Sequence, residues 1–75
     1  MVLVVASDAD SECRALAKTQ GHSDAELSKV GPMRIVVPGK AKTSCTSACN
    51  RFFMNFALNY TAKSGCCCGM KKLDS

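Results

Sequence analysis

Tryptophan is absent from this 75-residue chain, tyrosine occurs once and phenylalanine three times. The four rings, Phe52, Phe53, Phe56 and Tyr60, all fall between positions 52 and 60, so a single segment must anchor any aromatic core. Histidine occurs only at His22, which excludes a multi-histidine metal centre. Proline occurs twice and glycine five times, which excludes polyproline and collagen-like architectures. No run approaches the roughly 18 to 20 apolar residues that cross a bilayer. Val2-Leu3-Val4-Val5 is too short for a signal-peptide core and has no basic start, and Asp8, Asp10 and Glu12 do not suit a transit peptide. An intracellular or organellar setting is therefore expected, with secretion as the alternative if a presequence is removed. Neither a repeat nor a long linker divides the chain, so residues 1–75 are expected to form one small domain.

What is present is 47% hydrophobic and 21% charged residues, the composition of a globular chain rather than a disordered one. A core of this length lies near the limit of self-sufficiency, so covalent staples or a protein partner are expected to supply the deficit. The net charge of +4 is unevenly spread. Residues 1–31 carry Arg14, Lys18 and Lys29 against five acids, net −2, whereas residues 32–75 carry seven basic side chains against Asp74, net +6. The basic side chains are dispersed, with no run longer than Lys71-Lys72, which reads as a solvated face rather than a nucleic-acid footprint.

The pattern predicts a small α+β fold. A strand is expected at 2–6 from the β-branched run, and a helix at 9–19, capped by Ser7 or Asp8 and ended by Gly21. Ser23-Asp24-Ala25-Glu26 is a capping-box pattern that predicts a short helix at 24–30. A second strand is expected at 33–37, closed by Pro38-Gly39. Beyond it, Thr43 or Ser44 can cap one long, mostly apolar helix at 45–62, with Arg51, Asn55, Asn59 and Lys63 at i+4 steps as its narrow polar stripe. Residues 66–75 read as an irregular Cys-rich tail.

Six cysteines stand at Cys13, Cys45, Cys49, Cys66, Cys67 and Cys68, as candidates for disulfide formation or modification. Geometry ties their pairing to the helix. In an unbroken helix Cys49 lies about 21 Å from position 63, and three extended residues return only about 10 Å, so Cys66 cannot reach Cys49 and Cys45 lies beyond all three tail cysteines. A helix at 45–62 and a cluster of Cys45 and Cys49 with Cys66–Cys68 are therefore close to mutually exclusive. The same arithmetic weakens a zinc site built on these thiols. The remaining readings of the triple cysteine are disulfides to Cys13 or to another chain, acylation beside Lys71-Lys72 as a peripheral membrane contact, and reduced packed thiols.

Candidate chemistry elsewhere is sparse. Val2–Val5 followed by Asp8-Ala9-Asp10 resembles the strand-then-Asp-x-Asp opening of haloacid-dehalogenase-type phosphotransferases over about ten residues. That resemblance implies a far larger doubly wound domain, and acids placed for a helix dipole account for the pair within this one. A dyad of His22 with a cysteine has no support in the spacing. Asn59-Tyr60-Thr61 is an N-glycosylation sequon, which the expected helix would make fortuitous.

The leading functional expectation is a non-catalytic accessory or structural subunit that docks on a larger protein assembly through the apolar helix 45–62. Phe52, Phe53, Phe56, Leu58 and Tyr60 would be its interface. The alternatives are a secreted, cationic, disulfide-rich effector or toxin-like protein, and a thiolate zinc or redox module. No catalytic residue or cofactor is assigned, and nucleic acid is not the expected partner.

Overall fold

Residues 4–39, 42–60 and 65–72 are described by the computed structural model, with side chains described from Asp8 onward. The elements are β1 (Val4–Asp8), α1 (Asp10–Thr19), α2 (Asp24–Leu27), β2 (Arg34–Val37), α3 (Cys45–Asn50), β3 (Phe56–Tyr60) and β4 (Gly65–Gly69). The four strands make one antiparallel sheet in the order β1-β2-β4-β3. The first half of the chain follows its sequence pattern. The strand expected at 33–37 is β2; the one expected at 2–6 is β1, displaced to Val4–Asp8 with positions 2 and 3 outside the described residues, and the two pair through Val5 and Val36. The helices expected at 9–19 and 24–30 are α1 and a shorter α2.

Two serine caps form as their positions imply: Ser23 accepts from the Glu26 N–H and Ser44 from the Ser47 N–H, both at 3.1 Å. The cap expected for α1 does not form. Ala9 stands at its N-cap without a side-chain bond. Asp10, one residue further on, accepts from the Met33 N–H at 3.1 Å and from Arg14 Nε at 2.9 Å. Arg14 then donates to the carbonyls of Leu27 (2.7 Å) and Val30 (2.6 Å), so a cation meets the carbonyl end of α2 and fastens α1 to the segment that enters β2.

The long helix expected at 45–62 does not exist. Helix α3 ends at Asn50, and the described part of the remainder turns and returns as β3. The turn is a Schellman-type closure: the Met54 N–H donates to Cys49 O (3.1 Å) and the Phe53 N–H to Asn50 O (3.0 Å). Its left-handed position, usually glycine, is Phe53 at φ 60°. In β3 the residues alternate, with Phe56 and Leu58 packed on one face of the sheet and Ala57 on the other. The polar stripe is dissolved accordingly. Asn55 accepts from the Lys71 N–H (2.6 Å) and donates to Lys71 O (3.0 Å), Asn59 lies on β3, and Lys63 is outside the described residues.

The expected irregular tail is instead the central strand β4, buried at every position from Gly65 to Gly69. Successive side chains on a strand face opposite ways, so Cys67 points to the α1 face and Cys66 and Cys68 to the α3 face. Cys13–Cys67 binds α1 to the sheet, and Cys45–Cys66 and Cys49–Cys68 bind α3 to it, with Cα separations of 5.9, 5.5 and 5.4 Å. Glycine closes the strand for lack of room: a Cβ at Gly69 would stand 2.8 Å from Met33 Cγ and 2.9 Å from Val30 Cγ1. On the α1 side the core is Cys13, Ala17, Leu27, Val30, Met33, Ile35, Phe56, Leu58 and Cys67, and on the α3 side it is Val36, Ala48, Cys49, Cys66 and Cys68.

Phe53 combines a backbone conformation that costs an ordinary L-residue about 1–2 kcal/mol with a side chain that is 84% exposed. Replacing it with glycine removes the steric cost and adds a smaller entropic one. Phe53→Gly is expected to stabilise the fold by up to about 1 kcal/mol, read as a higher denaturant midpoint at unchanged slope.

Candidate functional site

The five aromatic and apolar residues expected to form one docking face are dispersed by the break after α3. Phe56 and Leu58 are core residues, 5% and 4% exposed. Phe52 is half-buried against the α3 side of the core. Tyr60 is half-buried, and its hydroxyl donates to Glu12 Oε2 at 2.7 Å. Phe53 alone is presented to solvent. The six cysteines are brought together in three pairs, so their thiol chemistry is spent. Cys66, Cys67 and Cys68, the candidates for an acylated membrane contact, are at most 2% exposed and disulfide-bonded here. In this state no thiolate remains for a zinc ion or a nucleophile, and among the described residues no group of three or more His, Cys, Asp or Glu is placed to hold a metal.

A shallow groove of about 250 Å³ crosses the outer edge of β3, between α3 and α2. His22, Glu26, Lys71, Asn50, Met54 and Ala57 are among its lining residues. Its polar groups engage one another. His22 Nδ1 lies 3.0 Å from Glu26 Oε1, Lys71 Nζ donates to Glu26 Oε2 at 3.3 Å, and the His22 ring meets Phe56 edge-on at 5.3 Å. Hydrogen bonds from His22 and then Lys71 hold the Glu26 carboxyl below the usual carboxylate range. A carboxylate so placed is a weak base, and its contribution to stability is present above the ordinary carboxylate pKa and lost as pH falls through the lowered one. The cluster ties α2 to the segment that follows β4.

Asp8 and Asp10, the pair with the phosphotransferase-like spacing, are engaged in ion pairs with Arg34 (3.0 Å) and Arg14. Asp24 meets Lys18 at 2.9 Å. Together with Glu12 on Tyr60 and Glu26 on Lys71, every acid of the first half has a partner. The charge asymmetry of the sequence is thus partly cancelled by pairing in space. What remains is a set of exposed cations, Lys42, Arg51 and Lys72, that make no ion pair among the described residues.

The exposed turn is the feature that reading the sequence missed. Phe53 precedes Asn55, whose latch on Lys71 brings the turn beside Met70, 53% exposed. Nothing in the spacing signals a left-handed phenylalanine, because glycine or asparagine is the expected residue there. Family models, curated proteins and solved structures provide no match to the chain.

Tyr60 is the one tyrosine in a chain without tryptophan, so its titration can be followed alone. Its hydrogen bond to Glu12, with burial and the nearby negative charge, raises its pKa above the ordinary tyrosine value. Stability from this bond is complete below the ordinary tyrosine pKa and lost as pH rises through the raised one. Ultraviolet titration of tyrosinate is expected to show a late ionisation that Glu12→Ala moves back toward the ordinary value. Equal titration of the two proteins would mean that the bond does not form.

Proposed function

We propose that the chain is an exported, non-catalytic binding protein: a cationic, disulfide-stapled effector or toxin-like molecule that works in an oxidising environment. The observation that carries this reading is the pairing of all six cysteines through one buried strand, Gly65–Gly69. Reducing compartments keep thiols open, whereas small exported domains with limited cores depend on staples. Here the loops closed span 19, 21 and 54 residues in sequence separation. In the chain-entropy account each closure contributes about 3–4 kcal/mol, comparable to the whole net stability of many small domains.

Engagement of the first-half acids in ion pairs and of the sulfurs in disulfides supports a binding role over a catalytic one. The accessory-subunit reading rested on a continuous helix at 45–62, and residues meant for its docking face are built into the core of this fold. The zinc reading needs thiolates that the disulfides remove, and a redox role needs a disulfide open to attack, whereas Cys13, Cys49, Cys66, Cys67 and Cys68 are at most 2% exposed.

Intact mass of the natively isolated protein, with and without reduction and thiol labelling, tests the proposal. Three disulfides make the mass six hydrogens lower than that of the reduced chain, with no labelling until reduction. Six labelled thiols at the reduced mass would contradict it and favour a partner-stabilised subunit in a reducing compartment. The same spectrum reads any glycan on the sequon at Asn59, which is exposed on β3 rather than set in a helix.

A further inference from the structure

We propose that the end of the molecule carrying Phe53 and Met70 docks on anionic lipid membranes, with Phe53 entering the interface and Arg51 and Lys72 meeting lipid headgroups. The inference rests on the reading of an exported, oxidised protein and names its partner.

The connectivity places these four residues together. Cys45–Cys66 and Cys49–Cys68 make α3 run in the same sense as β4, so the carboxyl ends of both elements lie at one end of the sheet. Arg51 and Phe53 follow α3, and Met70 and Lys72 follow β4. The pairing of Phe56 with Gly69 and the two Asn55–Lys71 hydrogen bonds join the two segments. Lys72 is held in turn by its backbone N–H to Lys29 O at 2.9 Å.

Phe53 and Met70 are the large apolar side chains that the described residues leave exposed, at 84% and 53%. Phe53 adopts the left-handed backbone that disfavours it, in a turn clamped by the Cys49–Cys68 staple on one side and β3 on the other. Strain and exposure at one residue point to a side chain retained for contact rather than for folding. Two projecting side chains fall well short of the roughly 800 Å² per partner of a stable protein interface. They suit a lipid interface, where a single inserted ring and a few cations suffice for reversible attachment. Charge complementarity selects anionic lipid. Ion pairs engage Asp8, Asp10, Asp24 and Glu26, while Arg51 and Lys72 stand exposed with no acidic partner among the described residues.

The test is co-sedimentation of the oxidised full chain with phosphatidylcholine vesicles, with and without phosphatidylglycerol. Binding is expected only to the anionic vesicles, and to weaken as salt rises. Phe53→Gly should reduce partitioning about tenfold while melting no earlier than the parent, which separates a contact role from a structural one. Arg51→Glu with Lys72→Glu should reduce it about tenfold or more. Lys42→Glu alters an exposed cation ahead of α3, at the opposite end, and should bind to within about twofold of the parent.

No sedimentation with anionic vesicles, undiminished binding of Phe53→Gly, or equal losses in all charge variants would overturn the proposal. So would Phe53-dependent capture of a protein by a chain that ignores vesicles. Thiol labelling of the same samples keeps two failures apart. Protected cysteines without vesicle binding retire the membrane surface alone, whereas open thiols in natively isolated protein retire the exported reading beneath it.

Discussion

Three consecutive cysteines on a strand buried on both faces must point up, down and up, and the rest of the architecture answers to that alternation. Cys67 demands a partner from one layer, and Cys66 and Cys68 demand two from the other. The second demand fits a helix. Residues four apart on a helix are separated by about 6 Å along its axis, and residues two apart on a strand by about 6.6 Å. Cys45 and Cys49 therefore align with Cys66 and Cys68, and α3 lies along β4 with both staples at ordinary Cα separations. Helix α1 supplies Cys13 from the opposite face. A strand bonded covalently on both sides needs little help from aromatic rings, which reconciles this fold with the sparse aromatic content of the chain.

The arrangement sets a limit on α3. Having aligned two cysteines with β4, the helix must end promptly so that the chain can return as β3 and pair with the same strand. That reversal is made at Phe53, in a conformation better suited to glycine. The disulfide at Cys49 and the latch between Asn55 and Lys71 hold the turn from both sides, so the local cost is carried by long-range bonds. In this way a staple that secures the core also fixes the position of an exposed ring and of Arg51 beside it.

The parts of the fold governed by local rules were legible in the sequence. Ser23 and Ser44 cap the helices that follow them, the β-branched run at Ile35–Val37 lies in a strand, and α1 ends close to Gly21. The segment after Asn50 was not, because Phe56, Leu58 and Tyr60 satisfy a strand period while Phe52, Phe56 and Tyr60 satisfy a helical one. Local propensity favours the helix, and pairing with a strand nine residues downstream from Phe56 at Gly65 decides for the strand. The incompatibility between a long helix and a cluster of Cys45, Cys49 and the tail cysteines was legible too. The molecule takes the cluster. Gly-Cys-Cys-Cys-Gly did not read as a strand because its stability comes from sulfur partners on both faces, which no window of sequence contains. Of the exposed site, only the identity of Phe53 and the surrounding basic residues could be read, and its presentation depends on a turn geometry that its residue type disfavours.

The central claim is that β4 is stapled to opposite layers in strict alternation. Partial reduction with differential alkylation, followed by fragmentation mass spectrometry of the released peptides, assigns each sulfur to its partner. The account predicts Cys13 with Cys67, Cys45 with Cys66, and Cys49 with Cys68. A bond from Cys13 to Cys66 or Cys68, or from Cys67 to either cysteine of α3, would place both layers on one face of the strand and contradict it.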